Sequence, residues 1–305
     1  MTLTLEQIHL RDPFILADAA TSSYYMYGTT GKTAWGGRPE GFDVYRSDDL
    51  VHWEGPAPAF RPAPGFWADR DYWAPEVHAW NGTYYMFASF KAEGKCRATQ
   101  ILAADSPAGP FVVHSAEPVT PADWECLDGT LYVDEGGDPW IVFCHEWVQV
   151  GDGEICCRRL TRGLDAAVGD PLLLFKASES GWSERGKAGN RVTDGPFLFR
   201  SEAGELRMIW SSFDKRGYNV GVARSVSGLI TGPWKHEPKP LFGPSEADDG
   251  RKPAAPAEGG HGMLFRTFDG RPMLVIHAPN KHPEERPAIV PVREIDGTLA
   301  LGYDQ

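Results

Sequence analysis

Five short motifs recur along this chain at similar intervals, and each places a polar or aromatic residue near an apolar stretch that ends in a turn. The first motif is Arg11–Phe14, and its Asp12 is followed at steps of 61, 55, 66 and 67 residues by Trp73, Asp128, Asp194 and His261. Strand-rich units that recur at this spacing are typical of propeller blades with four strands each. The sequence therefore predicts an all-β, five-bladed β-propeller, with blades that start near these five residues.

A second apolar run follows each motif, usually after a turn-forming pair of residues. Such pairs include Asn81-Gly82, Gly136-Gly137, Ala203-Gly204 and Asp269-Gly270. These residues favour the positive φ angles of tight hairpins, so we expect the first two strands of each blade to pair. The run Ala288–Arg293 would supply a late strand of the fifth blade or help to close the ring with the N-terminal residues.

We expect one propeller domain over residues 1–305, since no linker-like stretch or run of charges divides the chain. In a propeller, the innermost strands of all blades start around the same axis. Carboxylates at these starts would therefore meet in one central pocket, although they are far apart in the sequence. This convergence makes Asp12, Asp128 and Asp194 candidates for a shared site.

Composition excludes several classes of partner. The net charge is −12 and the isoelectric point is near 5.2, so no basic stripe is available to neutralise the phosphates of a nucleic acid. No apolar run is long enough to cross a membrane, and Met1–Glu6 lacks the features of a secretion signal. We therefore expect a cytoplasmic protein with neither nucleic-acid nor membrane partners. Its five cysteines, an odd number, are expected to be reduced and mostly buried.

Taken together and in order, the motifs resemble the blade openings of glycoside hydrolase family 43. They are Arg11-Asp12-Pro13, Trp73-Ala74-Pro75-Glu76-Val77, Asp128-Gly129-Thr130-Leu131-Tyr132, Asp194-Gly195-Pro196 and Gly260-His261-Gly262. The resemblance extends from about Arg11 to about Arg293. It implies a five-bladed propeller that hydrolyses arabinofuranosides or xylosides with inversion at the anomeric carbon.

Inverting hydrolysis needs an acid that protonates the departing oxygen and a base that activates water on the other face, about 6.5–9.5 Å apart. By resemblance, Asp12 is the general base. Asp128 is by resemblance the third carboxylate, which orients the acid and raises its pKa through like-charge proximity. This chemistry requires no cofactor.

The general acid is where the chain departs from the family pattern. The family usually has Glu directly before Gly-Pro in the fourth blade, and here that position is Asp194. Its side chain is shorter by one methylene, and a displacement of about 1 Å can be costly in catalysis. Two alternatives are open. In the first, Asp194 is still the acid. In the second, Glu146 donates the proton while Asp194 binds a sugar hydroxyl. Glu146 lies at the end of the second strand of the third blade, on the same face as Asp128.

Other residues are candidates for binding. Trp73 and Glu76 would form a wall and a hydroxyl acceptor, although Trp in a strand is also typical of a core and Glu76 could instead point between blades. His145 would hydrogen-bond the sugar or the acid, or else be a structural histidine. By resemblance, Arg224 is the arginine on a third blade strand that contacts an active-site carboxylate. His261 resembles a histidine that relatives place in the central channel, which is therefore a candidate site for a structural calcium or sodium ion.

These observations favour an inverting, exo-acting glycosidase that releases terminal α-L-arabinofuranose from small oligosaccharides. A β-xylosidase, a galactofuranosidase or an endo-acting arabinanase of the same family is the alternative. The Asp at position 194 also leaves open a propeller of another class, which binds glycans without cleaving them.

Overall fold

The computed structural model describes residues 2–30, 37–186, 188–244 and 258–302, and its five antiparallel sheets form the blades of a β-propeller. The innermost strand of each blade packs beside the innermost strand of the next blade, and the fifth packs beside the first. The predicted all-β, five-bladed fold is confirmed.

Blades are numbered in chain order, and the strands within each blade follow one another outward from the axis. Blade I contains β1 (Thr2–Leu3) at its outer edge and β2 (Leu10–Asp18), β3 (Ser23–Thr30), β4 (Phe42–Ser47) and β5 (Trp53–Phe60). Blade II contains β6 (Arg70–Trp80), β7 (Thr83–Lys91), β8 (Ala98–Ala104) and β9 (Val112–Val113). Blade III contains β10 (Cys126–Val133), β11 (Pro139–His145), β12 (Glu154–Leu160) and β13 (Ala167–Lys176).

The remaining blades follow the same plan. Blade IV contains β14 (Asp194–Arg200), β15 (Leu206–Phe213), β16 (Tyr218–Ser225) and β17 (Trp234–His236). Blade V contains β18 (Gly260–Arg266), β19 (Pro272–Ala278), β20 (Arg286–Ile295) and β21 (Thr298–Leu301). A four-residue α-helix, α1 (Trp147–Val150), follows β11, and short 3-10 helices cover Leu5–Gln7 and Ala177–Ser180.

Blade V meets blade I to close the ring. The run Ala288–Arg293 lies within β20, so it supplies the third strand of blade V, whereas β1 pairs with β5 on the outside of blade I. Side-chain contacts hold the closure together. Arg11 donates a hydrogen bond to Glu285 at 2.7 Å, and Arg286 donates one to the carbonyl oxygen of Glu6 at 2.8 Å. The first of these contacts lies beside the candidate site.

The second strand of every blade is buried between neighbouring blades. One apolar side chain from each, in order Met26, Met86, Val142, Ile209 and Val275, has no exposed surface. Full burial of a side chain of this size contributes about 1.5–3 kcal/mol. The inner strands rest on this core, so the positions of the side chains at their starts are rigidly defined.

Every inner strand is interrupted by a β-bulge at the same register. Between the two flanking pairs of opposite residues, the inner strand contains two residues and the second strand contains one. The first residue of each bulge has a positive φ: Asp12 (51°), Ala74 (45°), Asp128 (57°), Gly195 (48°) and His261 (43°). Bulges of this kind redirect the side chains that they carry. Three of the five therefore turn a titratable group toward the axis.

The bulges also correct the comparison of the five motifs. Trp73 and Asp194 lie one residue before the bulge, in the register of Arg11 rather than of Asp12. Aligning them with Asp12 was wrong by one residue, because the dipeptides Asp-Pro and Gly-Pro mark the bulge and not the polar residue. Asp194 thus reaches the axis without the left-handed backbone that carries Asp12.

The second bulge residue is proline or glycine in all five blades. At Gly262 the reason is steric, because a Cβ there would lie 1.7 Å from the carbonyl oxygen of Val275 on β19. We expect Gly262→Ala to lower the free energy of unfolding by about 3 kcal/mol, as overpacking of a close backbone contact does. Urea denaturation would measure this loss in the free energy of unfolding. Gly163→Ala, where the nearest atom lies at 3.5 Å, is the control, and equal losses for both variants would contradict the explanation.

Candidate active site

A cavity of about 390 Å³ opens where the inner strands begin, and all four carboxylates predicted to be catalytic line it. Asp12 comes from blade I, Asp128 and Glu146 from blade III, and Asp194 from blade IV. The volume lies in the usual range for small-molecule sites. The structure thus brings these four side chains together, while their individual roles stay predictions.

Asp12 is buried and contacted from several sides. Its Oδ2 accepts a hydrogen bond from Thr29 Oγ1 at 2.6 Å, and its Oδ1 lies 3.3 Å from His261 Nδ1 and 3.9 Å from Arg11 Nε. Burial by itself would raise the pKa of Asp12, but electrostatic interactions with His261 and Arg11 outweigh it and hold this pKa well below its usual range. Asp12 is therefore ionised at neutral pH, as a general base must be.

Asp128 lies beside Asp12 across the ring of His261. Its Oδ2 accepts a hydrogen bond from the backbone N–H of Gly195 at 3.0 Å and lies 3.6 Å from His261 Nδ1. One imidazole nitrogen therefore contacts both carboxylates. Burial raises the pKa of Asp128 well above its ordinary value, and the negative charge of Asp12 raises it further.

Asp194 faces the same cavity in a different electrostatic environment. Its Oδ2 accepts a hydrogen bond from the hydroxyl of Tyr218 at 2.8 Å. Burial raises the pKa of Asp194 to about 8, and the negative charge of Asp128 contributes to the rise. The carboxyl group is therefore protonated at neutral pH, which is the state that a general acid needs.

Glu146 follows the end of β11 and, as expected from the antiparallel hairpin, lies on the same face as Asp128. Its Oε2 forms an ion pair with Nη1 of Arg97, whose Nη2 donates a hydrogen bond to Asp71 at 2.8 Å. Burial raises the pKa of Glu146, and the positive charge of Arg97 opposes that rise. Glu146 thus differs from Asp194 in having a bound cation.

Hydrogen bonds between neighbouring blades hold the bulges in place. The backbone N–H of a bulge residue donates to a side chain on the second strand of the preceding blade: Ala74 to Thr29 Oγ1 (2.8 Å), Asp128 to Ser89 Oγ (2.9 Å), His261 to Ser211 Oγ (2.9 Å) and Asp12 to His277 Nδ1 (3.3 Å). In blade III, Cys144 occupies the equivalent place, and the N–H of Gly195 binds Asp128 instead. This exception explains the orientation of the Asp128 carboxylate.

His277 connects Asp12 to the closure between blades V and I. Burial lowers the pKa of His277, so its ring is neutral at neutral pH. Because its Nδ1 accepts the N–H of Asp12, the proton lies on Nε2, which is 3.1 Å from Asn280 Oδ1. The same oxygen accepts a hydrogen bond from Arg11 at 3.0 Å. These contacts position Arg11 beside the Asp12 carboxylate.

Of the two residues predicted from the second motif, only Trp73 lines the described cavity. The guanidinium of Arg97 lies 4.0 Å from the centre of the Trp73 ring. Glu76 lies three residues further along β6, where it is buried with its Oε2 3.3 Å from Nε2 of His78. Glu76 is not among the residues that line this cavity, but its charge contributes to the raised pKa of Asp128, so its role as a hydroxyl acceptor stays a prediction.

His145 does not reach the cavity either. It directly precedes Glu146, and neighbouring residues of a strand point in opposite directions. Its Nδ1 lies 3.0 Å from Oε2 of Glu154, and its ring stacks on Trp124 with ring centres 4.1 Å apart. His145 therefore supports the loop around Glu146 instead of contacting the sugar.

Arg224 lies near the far end of β16. It pairs with Arg207, whereas Asp194 is level with Ser211 near the other end of β15. The predicted contact between Arg224 and an active-site carboxylate is wrong, because the third strand of a blade runs parallel to the first and only its start reaches the cavity.

Two residues at starts of third strands were missed in the sequence. Tyr218 begins β16 and contacts Asp194, and Arg97 directly precedes β8 and contacts Glu146. Their shared position, at the end of the strand that faces the cavity, was the available signal. Asn280 and His282, in the loop after β19, also line the cavity and belong to no recognisable motif.

The thiols and the helices bear on two predictions from composition. The five cysteines are free thiols, and four of them are buried, as expected. Within the described ranges, no helix combines the length and the apolar character needed to cross a membrane.

The five-bladed ring and the acidic cavity on its axis agree with the family that the sequence resembles. The model of glycosyl hydrolases family 43 matches residues 5–298. This chain belongs to that family. Family 43 enzymes are inverting glycoside hydrolases, so the protein is an inverting glycosidase that acts on arabinose- or xylose-containing glycans. The alternative of a propeller that only binds glycans is set aside.

Relatives of this family 43 enzyme include proteins named for arabinose- and xylose-chain cleavage. The extracellular exo-α-(1→5)-L-arabinofuranosidase of Cellvibrio japonicus is 25% identical over 90% of this chain and 80% of its own length. A solved endo-arabinase of Bacteroides thetaiotaomicron is 40% identical, with a TM-score of 0.85 over 97% of this chain and 98% of that one. A solved endo-1,4-β-xylanase of the same organism is 25% identical, with a TM-score of 0.79 over 100% and 97% of the two chains.

His261 was a candidate neighbour of a calcium or sodium ion in this family 43 propeller. Within the described residues, no group of three or more His, Cys, Asp or Glu side chains could hold a metal ion. The ring nitrogen of His261 that faces the axis contacts Asp12 and Asp128 directly. The ion in the channel stays a prediction, and no catalytic step below involves one.

Proposed function

We propose that this family 43 enzyme is an exo-acting α-L-arabinofuranosidase that removes terminal arabinose from α-1,5-linked arabino-oligosaccharides. Two relatives support arabinose as the sugar, since the Cellvibrio protein and the Bacteroides protein of 40% identity are both named for the cleavage of arabinose chains. The 40% identity to an endo-arabinase favours endo-acting arabinanase as the second candidate.

The observation that carries the proposal is that one cavity pushes the pKa values of two carboxyl groups in opposite directions. The pKa of Asp12 is held well below its usual range, while that of Asp194 is raised to about 8. Such a pair provides a base and an acid that are both in their active protonation states at neutral pH. An inverting glycosidase needs this combination, with space for a water molecule between the base and the sugar.

In the proposed mechanism, Asp12 and Asp194 act on opposite faces of the anomeric carbon. The oxygen of a water molecule bonds to that carbon, and the same water molecule transfers a proton to Asp12. The bond from the carbon to the glycosidic oxygen breaks at the same time, and Asp194 transfers its proton to that oxygen. Asp128 maintains the raised pKa of Asp194, and His261 keeps Asp12 and Asp128 apart while contacting both.

Asp194 is preferred to Glu146 as the acid for two reasons. The pKa of Asp194 is raised to about 8, so this group is protonated at neutral pH, whereas the rise in the pKa of Glu146 is opposed by its ion pair with Arg97. The charges of Asp128 and Asp12 also raise the pKa of Asp194, so Asp194 lies within the cluster that surrounds the reacting carbon.

Product analysis tests the proposed function. We expect the enzyme to release 4-nitrophenol from 4-nitrophenyl α-L-arabinofuranoside, and arabinose as the sole early product from linear α-1,5-arabinan. Early release of arabino-oligosaccharides, with a rapid fall in viscosity, would instead support the endo-acting candidate. Cleavage of xylosides alone would contradict arabinose as the substrate.

Tyr218→Phe is expected to move the alkaline limit of activity upward. The Tyr218 hydroxyl stabilises the ionised form of Asp194, so its removal should raise the pKa of Asp194 above about 8. The pH dependence of kcat/KM with an aryl arabinofuranoside would measure this shift. A downward shift, or none, would contradict the role of Asp194 as the acid.

A further inference from the structure

Two residues outside the proposed acid–base pair, Trp73 and Glu146, line the cavity on its blade II–blade III side, and Arg97 connects both of them to Asp71. We call these four residues the wall cluster: Asp71, Trp73, Arg97 and Glu146. The Arg97 guanidinium bridges the two carboxylates and covers one face of the indole at 4.0 Å. Its side chain is only 7% exposed. Trp73 and Glu146 both line the cavity.

Three members of the wall cluster, Asp71, Arg97 and Glu146, lie beyond the level of the carboxylates on the axis, while Trp73 is level with Asp194. Cys144 pairs with Leu127, the residue before Asp128, and Glu146 lies two residues beyond Cys144. Trp73 pairs with Ser89, and the next residue, Phe90, pairs with Ala98. Arg97, which precedes Ala98, therefore lies two residues beyond the level of Trp73. Two residues of strand span about 7 Å. The offset leaves room for a second sugar ring between the axis and the outer part of the wall.

The contacts within the cluster leave groups that suit a neutral sugar. Arg97 binds Oε2 of Glu146, and no described residue donates a hydrogen bond to Oε1, which can therefore accept one from a hydroxyl group. The indole of Trp73 offers an apolar face for the C–H groups of a sugar ring. With two carboxylates and one guanidinium, the cluster is acidic, which disfavours a uronic acid at this place.

Glu125 fixes the positions of Arg97 and Glu146 relative to each other. The Glu125 carboxylate accepts hydrogen bonds from the backbone N–H of Arg97 at 2.7 Å and from Lys91 Nζ at 2.7 Å. The carbonyl oxygen of Glu125 accepts the N–H of Glu146 at 2.7 Å. The guanidinium and the carboxylate that it binds are thus fixed to the same residue, so the wall is organised before any ligand arrives.

We propose that the wall cluster is the subsite for the leaving-group sugar, with Glu146 and Trp73 as its contact residues and Arg97 as the positioning residue that orients both. This inference rests on the proposed function, since it places the acid at Asp194 and the departing sugar outside it. The ligand is a neutral pentose unit linked to the arabinose that is cleaved.

Comparison of substrates with and without a second sugar tests this subsite. We expect Arg97→Met and Glu146→Gln to lower kcat/KM for α-1,5-arabinobiose by about 10- to 100-fold, mainly through KM, because a hydrogen bond to a charged group is lost. The loss with 4-nitrophenyl α-L-arabinofuranoside, which lacks that sugar, should be several times smaller. Arg97→Lys, which keeps the charge without the planar fork, should fall between the wild type and Arg97→Met.

Arg46→Met is the matched control, because Arg46 also bridges two carboxylates, Asp48 and Glu54, but on the surface of blade I. It should change neither substrate's kcat/KM. Equal losses on both substrates for the Arg97 and Glu146 variants would overturn the subsite and point to a role in the chemical step. No loss on arabinobiose would overturn it as well.

Calorimetry separates failure of the subsite from failure of the proposed function. If the wild type cleaves neither substrate, the proposed function fails, and binding of arabinobiose and xylobiose can still be measured. Arg97→Met should then weaken the binding of a disaccharide but leave the affinity for the monosaccharide nearly unchanged. Equal affinities of wild type and variant for both disaccharides would overturn the subsite.

Discussion

Asp12→Asn should lower kcat/KM on 4-nitrophenyl α-L-arabinofuranoside by about 10³- to 10⁴-fold, because an amide cannot take the proton of the attacking water. Asn has the same shape, and its carbonyl oxygen can still accept the hydrogen bond from Thr29 that holds Asp12 at 2.6 Å. The variant should therefore keep the fold, which thermal melting would verify. Initial rates of nitrophenol release measure the loss.

Asp18→Asn is the matched control for this experiment. Asp18 is also a buried aspartate on β2, but it lies at the opposite end of the strand and binds Thr21. Its replacement should leave kcat/KM close to the wild-type value. Retention of more than about a tenth of the activity by Asp12→Asn would be incompatible with general-base catalysis by this residue.

Asp194→Asn should lower activity in a way that depends on the leaving group. On arabinobiose, whose departing oxygen needs a proton, we expect a loss of about 10³-fold or more. On 2,4-dinitrophenyl α-L-arabinofuranoside, whose leaving group departs as an anion, the loss should be at least ten times smaller. Steady-state rates on both substrates measure the difference. The variant keeps an oxygen that can accept the hydrogen bond from Tyr218.

Glu146→Gln is the comparison that gives this result its meaning. If Glu146 were the acid, Glu146→Gln and not Asp194→Asn would regain activity on the dinitrophenyl substrate.

Thermal stability provides a further check, since the pKa of Asp194 is raised to about 8 in the folded state. The folded protein then binds more protons than the unfolded chain, so ionisation of Asp194 lowers stability as pH rises toward 8. Asp194→Asn should thus melt at a higher temperature than the wild type at pH 8.

The sequence was sufficient to predict the fold and the meeting of the four carboxylates. The motifs recur at blade spacing, and closure of a ring brings the starts of its inner strands together whatever the loops do. Glu146 was placed correctly for the same kind of reason, since the end of a hairpin's second strand lies beside the start of its first. These inferences depend on topology alone.

Other residues were misplaced because local geometry decides their direction. Arg224 lies at the end of a strand whose start faces the cavity, and Glu76 lies beyond the bulge of β6, outside the lining of the cavity. The bulge register, shared by all five inner strands, could not be read from a pattern that treats Trp73 and Asp128 as equivalent. His145 could have been excluded by strand alternation once Glu146 was assigned to the pocket.

Arg97 and Tyr218 were missed for a different reason. Each contacts a carboxylate through the tertiary structure, and nothing near it in the sequence resembles a motif. Their importance comes from their position at the starts of the third strands, which becomes recognisable only when the direction of every strand relative to the cavity is known. Arg97 then explains why Glu146 is ion-paired while Asp194 is not.

The most direct test of the proposed acid is the pH dependence of kcat/KM on the dinitrophenyl and nitrophenyl arabinofuranosides. The pKa of about 8 at Asp194 predicts that wild-type activity on the nitrophenyl substrate falls as pH rises through about 8, when this carboxyl group loses its proton. Asp194→Asn should lose that alkaline limb on the nitrophenyl substrate and show no such fall on the dinitrophenyl substrate, whereas Glu146→Gln should keep the limb on the nitrophenyl substrate. An alkaline limb that persists in Asp194→Asn and disappears in Glu146→Gln would contradict the assignment of Asp194 as the acid that acts opposite Asp12.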